Sequence, residues 1–317
     1  MDPIASATAT APVRSAPAVS IVVPCYNGGR FLDGLMASLA RQTFRDFEVV
    51  IVDDGSTDEL TLRKLAALQN SLQNSLQDTV QDSLPHQVRV IRQANHGASA
   101  ARNTGAREAR ADLLFMLDCD DTIEPTFLAE VVPALRAAPP DVGVAVAHMR
   151  LIGAETGVAR RYFNRFDLLF TNTLSPGIVI RKDSWRAAGG YDETMRDGYE
   201  DWDFSLRLAE AGYRAIEIAK PLYIYHVASD DAGHSLSSGV HARRLYAKLW
   251  RQIRSRHAQS YGPLAIARLW WTKRHERGGR VALWKGLAGY LAALTLPDTV
   301  FNQLFATLQR RRMHART

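Results

Sequence analysis

Leu113-Leu114-Phe115-Met116-Leu117-Asp118-Cys119-Asp120-Asp121 is the stretch on which the reading of this chain turns. An uninterrupted run of five apolar residues suits a strand covered on both faces, as in the parallel sheet of an α/β protein. The carboxylates begin where that strand ends. Like charges delivered this close together by rigid backbone repel, and a divalent cation shared with phosphate oxygens relieves them at least cost. A D-x-D triplet alone is commonplace; one that follows the most apolar strand of the chain is informative.

Upstream, the same pattern recurs. Val19-Ser20-Ile21-Val22-Val23 is a β-branched run that ends at Pro24, and Phe47 to Val52 is a second strand ending at Asp53-Asp54. Val88 to Ile91 makes a third, so that 113–117 is the fourth. Helical spacing of Phe31, Leu32, Leu35, Met36 and Leu39, and helical stretches around 58–76 and 98–109, alternate with these strands. The alternation predicts an α/β fold with an open, largely parallel twisted sheet flanked by helices. Residues 68–84 repeat a four-residue theme (Leu-Gln-Asn-Ser and variants), read as an expansion before the third strand.

Ligands of open α/β sheets bind outside the carboxyl ends of the strands. Pro24-Cys25-Tyr26-Asn27 and Asp53-Asp54-Gly55-Ser56-Thr57-Asp58 occupy two successive strand ends, a combination that suits a base-and-ribose pocket. A carboxylate there accepts from a uracil or thymine imide, or from a guanine edge. In Asn95-His96-Gly97-Ala98-Ser99-Ala100-Ala101-Arg102-Asn103-Thr104-Gly105 the small residues allow a helix to pack closely, and Arg102 is placed either to reach a diphosphate or to order the loop beneath it. Downstream, Glu200-Asp201-Trp202-Asp203 opens a helix containing Phe204, Leu206 and Leu208. Tyr225-His226 closes a further apolar strand from Leu222, where a neutral imidazole suits a metal shell. Asp230-Asp231-Ala232-Gly233-His234-Ser235 carries weaker signals.

From Val19 to about His226 the chain resembles the inverting glycosyltransferases of family 2, through Pro-x-Tyr-Asn, Asp-Asp-Gly-Ser-x-Asp, Asn-x-Gly-x-x-x-Ala-Arg-Asn-x-Gly, Asp-x-Asp-Asp and Glu-Asp-x-Asp. The resemblance implies a GT-A fold and a nucleoside-diphosphate sugar as donor, with UDP the leading nucleotide. It places Pro24, Tyr26, Asn27 and Asp54 at the base and ribose, Asp53 in support of the loop, Arg102 beneath the diphosphate, and Asp118 at ribose or metal. Asp120, joined by His226, becomes the ligand of Mg²⁺ or Mn²⁺, and Asp201 the general base. Glu200 falls on the acceptor side, and Trp202 suits either stacking on a sugar ring there or a place in the core. The implied reaction is transfer to a hydroxyl of a glycan or lipid-linked acceptor, as in bacterial surface polysaccharide or glycoconjugate synthesis. A catalytically silent nucleotide-sugar or glycan binder on the same fold is the alternative; Asp120, Asp201 and Arg102 together favour the enzyme. A dinucleotide oxidoreductase is excluded, since no G-x-G-x-x-G follows strand one.

Domain organisation follows from composition. Residues 1–18, rich in Ala, Pro, Ser and Thr, read as a disordered tail; 19–235 as the catalytic domain, with a donor half at 19–121 and an acceptor half at 122–235; and 236–317 as a basic helical extension. The net charge of +6 conceals 23 Lys and Arg against 31 Asp and Glu in 1–240, and 16 against 2 in 241–317. Nucleic acid is not an expected partner for the acidic body. In the extension Leu245, Tyr246, Leu249, Trp250 and Ile253 share a helical stripe among arginines, followed by Trp270-Trp271-Thr272-Lys273-Arg274, a surface that could meet anionic lipid unless the stripe packs on the catalytic domain. The stretch 286–296 is too short to span a bilayer. Two cysteines, Cys25 and Cys119, accord with a reducing compartment, so the expected location is the cytoplasm or the cytoplasmic face of a membrane.

Overall fold

The computed structural model describes residues 16–74, 88–174, 176–227 and 239–304, apart from 275, 277, 278, 280, 298 and 302. Most of the N-terminal tail, the 75–84 part of the repeat and the 230–235 segment lie outside the described residues. The tail ends slightly earlier than its composition suggests: Ala18 is buried and donates to the Asp46 carbonyl at 3.1 Å.

The four strands foreseen in the first half all form: β1 (Val19–Cys25), β2 (Phe47–Asp54), β3 (Val88–Gln93) and β4 (Leu113–Met116). They run parallel in the order β3-β2-β1-β4. The right-handed crossovers expected of such a sheet are supplied by α1 (Gly29–Ala40), α2 (Glu59–Asn74) and α3 (Ala98–Glu108). Each of β1, β2 and β4 is buried along its whole length, which explains their largely apolar runs; the exceptions Ser20 and Glu48 hydrogen-bond to each other at 2.7 Å. Alternate side chains serve two cores: Ile21, Val23 and Phe115 pack with α1, whereas Val22, Leu114 and Met116 face the opposite layer. Gly105 lets α3 lie against β1, because a Cβ there would stand 2.3 Å from Val22 Cγ1.

Beyond β4 the sheet changes character. β5 (Thr122–Ile123), β6 (Val142–Gly153), β7 (Gly157–Ala159), β8 (Val179–Arg181) and β9 (Arg214–Val227) complete the order β3-β2-β1-β4-β8-β6-β9-β5, with β7 on β6. Here β8 is antiparallel to both β4 and β6, and β5 is antiparallel to β9. The sheet is therefore parallel through its donor half and mixed thereafter. Helices α4 (Phe127–Ala137), α5 (Lys182–Ala187) and α6 (Glu200–Glu210) cover this half.

The C-terminal extension forms α7 (Gly239–Arg256), α8 (Pro263–Lys273) and α9 (Leu283–Thr295). Of the apolar stripe that suits either a membrane surface or packing, Leu249, Trp250 and Ile253 are buried, Trp250 and Ile253 in the core shared with α6. Of the two readings, these three residues take packing on the catalytic domain. His257, just after α7, lies between Asp203 and Glu210 of α6, its Nε2 3.2 Å from Asp203 Oδ1 and its Nδ1 2.9 Å from Glu210 Oε2. Among the described residues no helix is long and apolar enough to cross a membrane.

Candidate active site

The strand-end loops after β1 and β2 are locked to each other. Asn27 sits in the left-handed region at φ 49°, and its Oδ1 accepts from the N–H groups of Thr57 and Asp58 at 2.8 and 3.2 Å. Its own N–H donates to Ser56 Oγ. Asn27 thus knits the β1 and β2 loops rather than projecting into the cleft, while Tyr26 beside it is half-exposed at the mouth and Pro24 lies within buried β1. Asp53 Oδ1 accepts the Ser56 N–H at 2.9 Å, the loop-supporting position. Asp54 takes three donors from the 93–97 loop, Gln93 Nε2, His96 N and Gly97 N, at 2.8 to 2.9 Å. It therefore holds the loop that leads into α3.

The loop after β4 is clamped from the other side. Asp121 is buried and accepts from Tyr223 Oη at 2.5 Å and from the His226 N–H at 3.0 Å, so the acidic loop is fastened to β9. Burial, with Asp120 and Asp118 nearby, pushes the Asp121 carboxyl well above its ordinary value. Asp120 is pushed up to about 6, by burial and then by Asp118. The His226 imidazole approaches the Asp120 main chain; burial holds it below its usual range, and its Nδ1 has no hydrogen-bond partner among the described residues. A crowded carboxylate beside a neutral imidazole with an idle nitrogen is a donor set that suits a hard divalent cation sharing phosphate oxygens. No group of three or more His, Cys, Asp or Glu side chains able to hold an ion occurs among the described residues, so such an ion would need oxygens from the donor.

Arg102 joins the two halves of the site. Its Nη2 donates to Asp118 Oδ1 and its Nη1 to Glu200 Oε1, both at 2.7 Å, and its side chain is largely buried. Burial lowers its proton affinity, but Asp118 and Glu200 more than offset this and raise it well above normal. Asp201, at the first turn of α6, accepts its neighbour's Trp202 N–H at 2.7 Å. Trp202 takes the core reading, which corrects its acceptor-side placement: it is 2% exposed, and its indole donates to the Leu168 carbonyl at 2.6 Å. The phase of α6 turns it into the core, away from any acceptor.

One residue was missed by sequence reasoning. Burial holds the Arg161 guanidinium below its ordinary proton affinity, an effect that Asp201, then Tyr225, Tyr223 and Asp121, only partly offset. Its Nε has no hydrogen-bond partner among the described residues, and its Nη2 donates only to Met149 Sδ, at 3.2 Å. It is one of two adjacent arginines in a polar segment after β7, where no motif marks it. Both cysteines are free, and their sulfurs meet beneath Gly28, where a Cβ would stand 2.7 Å from Cys119 Sγ and 3.3 Å from Cys25 Sγ.

A parallel β3-β2-β1-β4 half with carboxylates at its strand ends, continued by a mixed half that brings in α6, defines the GT-A architecture. The chain belongs to glycosyl transferase family 2, whose profile matches residues 20–187. It is 28% identical over 254 residues to an uncharacterized glycosyltransferase of Haemophilus influenzae, covering 75% of this chain and 80% of that one. It is 29% identical over 211 residues to the chondroitin synthase of Escherichia coli, covering 64% of this chain and 28% of that longer protein. Among solved structures, S. aureus TarS 1–349 in complex with UDP-GlcNAc is similar at a TM-score of 0.60 and 20% identity, covering 89% of this chain and 83% of that one. The mannosyltransferase PcManGT of Pyrobaculum calidifontis, in complex with GDP-Man and Mn²⁺, is similar at 0.55 and 19%, covering 93% and 81%.

Proposed function

We propose that the protein is an inverting glycosyltransferase that moves a sugar from a nucleoside diphosphate to a hydroxyl of a glycan or lipid-linked acceptor. UDP is the proposed nucleotide. The observation that carries this reading is the Arg102 fork: one guanidinium binds Asp118 beside Asp120 and Glu200 beside Asp201, drawing the acidic loop and the start of α6 together. Arg161, under the influence of both Asp201 and Asp121, supports the same convergence.

In the proposed reaction the Asp201 carboxylate takes the proton of the acceptor hydroxyl as that oxygen forms its bond to the anomeric carbon. The bond from that carbon to the diphosphate oxygen breaks on the opposite face, and its electron pair leaves with the nucleoside diphosphate. One displacement inverts the centre. Asp120 and His226 are the residues that would hold Mg²⁺ or Mn²⁺; when bound, the ion supplies positive charge where the leaving group becomes more negative. Tyr26 and the pocket walled by the loops that Asn27, Asp53 and Asp54 hold would receive base and ribose. PcManGT with GDP-Man and Mn²⁺, and TarS with UDP-GlcNAc, support a nucleotide sugar and a divalent ion as the ligands to test. The chondroitin synthase and the O-antigen biosynthesis protein RfbC of Myxococcus xanthus among the relatives support a polysaccharide acceptor.

The test is a panel of UDP-, GDP- and dTDP-sugars, each with and without Mg²⁺ or Mn²⁺, scored for donor hydrolysis and for protection against thermal unfolding. The expected result is cation-dependent turnover of one nucleotide class. Protection without turnover, with any acceptor offered, would instead indicate a silent binder.

A further inference from the structure

Helix α9 is Leu-Trp-Lys-Gly-Leu-Ala-Gly-Tyr-Leu-Ala-Ala-Leu-Thr, with Lys285 its one charged residue. One face is accounted for by packing: Leu283, Leu287 and Tyr290 lie on the core, Ala293 is buried, and a Cβ on Gly286 would stand 2.8 Å from the Phe170 ring. The other face is apolar too, yet Trp284, Leu291 and Leu294 are 68%, 56% and 51% exposed. α8 repeats the arrangement, with Ile266 buried on one side and Leu264 and Trp271 on the other, 87% and 64% exposed. Leu264 and Trp271, like Trp284 and Leu291, are seven residues apart and so share a helix face. A helix face turned to water is ordinarily polar. Cations border these faces: the Arg274 guanidinium lies 3.8 Å over the Trp271 ring and Lys285 Nζ 5.4 Å over Trp284, within a segment of 16 basic and 2 acidic residues.

We propose that the outer faces of α8 and α9 dock on an anionic lipid surface, with Trp271, Trp284 and Leu291 entering the interface and Arg268, Arg274 and Lys285 meeting the headgroups. Indole rings paired with cations suit the headgroup level of a bilayer, where an apolar body and a charged neighbour are both satisfied. At 13 residues α9 lies in the interface plane and does not cross it. A second copy of the chain is the poorer occupant, since two such basic segments would repel. The inference rests on the extension alone and is independent of the donor-site reading.

The experiment is cosedimentation of the full-length protein with phosphatidylcholine vesicles, with and without about a third of phosphatidylglycerol, at low and high salt. Binding is expected only to the anionic vesicles and is expected to weaken with salt. The triple variant Trp271→Ser, Trp284→Ser, Leu291→Ser should lose about tenfold or more of that binding while keeping the wild-type Tm, because all three side chains are exposed. The variant Arg268→Ser, Arg274→Ser, Lys285→Ser should lose the preference for anionic lipid. Equal binding of wild type and the apolar triple variant, or no discrimination by wild type between the two vesicles, would overturn the proposal. So would a wild-type dimer in light scattering that the triple variant dissolves without any vesicle binding, which would assign the face to self-association.

Discussion

Arg102 Nη1 lies 2.7 Å from Glu200 Oε1, a contact that spans 98 residues of sequence and ties the helix beneath the donor loops to the helix that carries the proposed base. Since Nη2 of the same guanidinium holds Asp118, the geometry requires a planar fork. Lysine offers one point charge. Arg102→Lys is expected to leave one carboxylate uncompensated in a largely buried setting, costing about 3 kcal/mol of stability, together with weaker donor binding. Urea unfolding and donor titration measure both; wild-type values for each would show that the fork does not organise the site.

Asp120 and Asp201 should separate kinetically. Asp201→Asn keeps the size and neutral hydrogen bonding of the side chain but removes the proton acceptor, so transfer should fall by about 10² to 10⁴ while nucleotide protection persists. Asp120→Ala should lower both transfer and cation-dependent protection. Turnover of Asp201→Asn at the wild-type rate would remove the base assignment.

Asn27 makes a different demand, on backbone and side chain at once. Its left-handed φ of 49° disfavours a Cβ, and its Oδ1 caps two N–H groups of the β2 loop. Asn27→Ala loses both and should cost about 1–2 kcal/mol; Asn27→Gly relieves the backbone and should cost less. The ranking Asn above Gly above Ala in urea unfolding, with donor KM worsening in the same order, is the expected outcome. Gly and Ala variants of equal stability would show that the left-handed backbone is not what matters at this position.

How much of this was legible beforehand depends on whether local pattern or distant contact decides the residue. The parallel half was plain because β1, β2 and β4 are buried on both faces and so read as largely apolar runs ended by Pro24, Asp53 and Asp118. The mixed half was not. β6 is buried for its first six residues and then runs out into partly exposed Leu151 and Ile152, its pairing with β9 is broken by irregularities around His148, and β8 has only three residues. Helix α4 contains Pro133, a residue that argues against a helix interior. Asp54 was identifiable as a site residue, but its three partners lie 39 to 43 residues away, so its role in holding their loop was hidden. Arg161 and the burial of Trp202 likewise depend on contacts that only the folded chain creates. The apolar stripe on α7 was visible, whereas what covers it was not.

The His257 junction between the extension and α6 yields a pH signature. Burial alone would lower the imidazole, but the hydrogen bonds to Asp203 and Glu210 more than offset it and carry it from 6.5 to about 9. Folded His257 therefore holds a proton that the unfolded chain releases near 6.5. The stabilisation from this group is fully present below that pH, declines at about 1.4 kcal/mol per unit as pH rises, and is gone above about 9. The two carboxylates are depressed, Asp203 and Glu210 each opposed by burial and favoured by His257, so their share is present at neutral pH and is lost on acidification instead. Thermal unfolding between pH 6 and 9.5 should show Tm falling across this window. His257→Asn, which cannot carry the charge, should start lower and lose that slope, because the neutral amide titrates nowhere in the range. Parallel pH profiles for the two proteins would show that the imidazole at this junction is uncharged, leaving the packing of Trp250 and Ile253 and the Ser260–Glu210 hydrogen bond to hold the extension to α6.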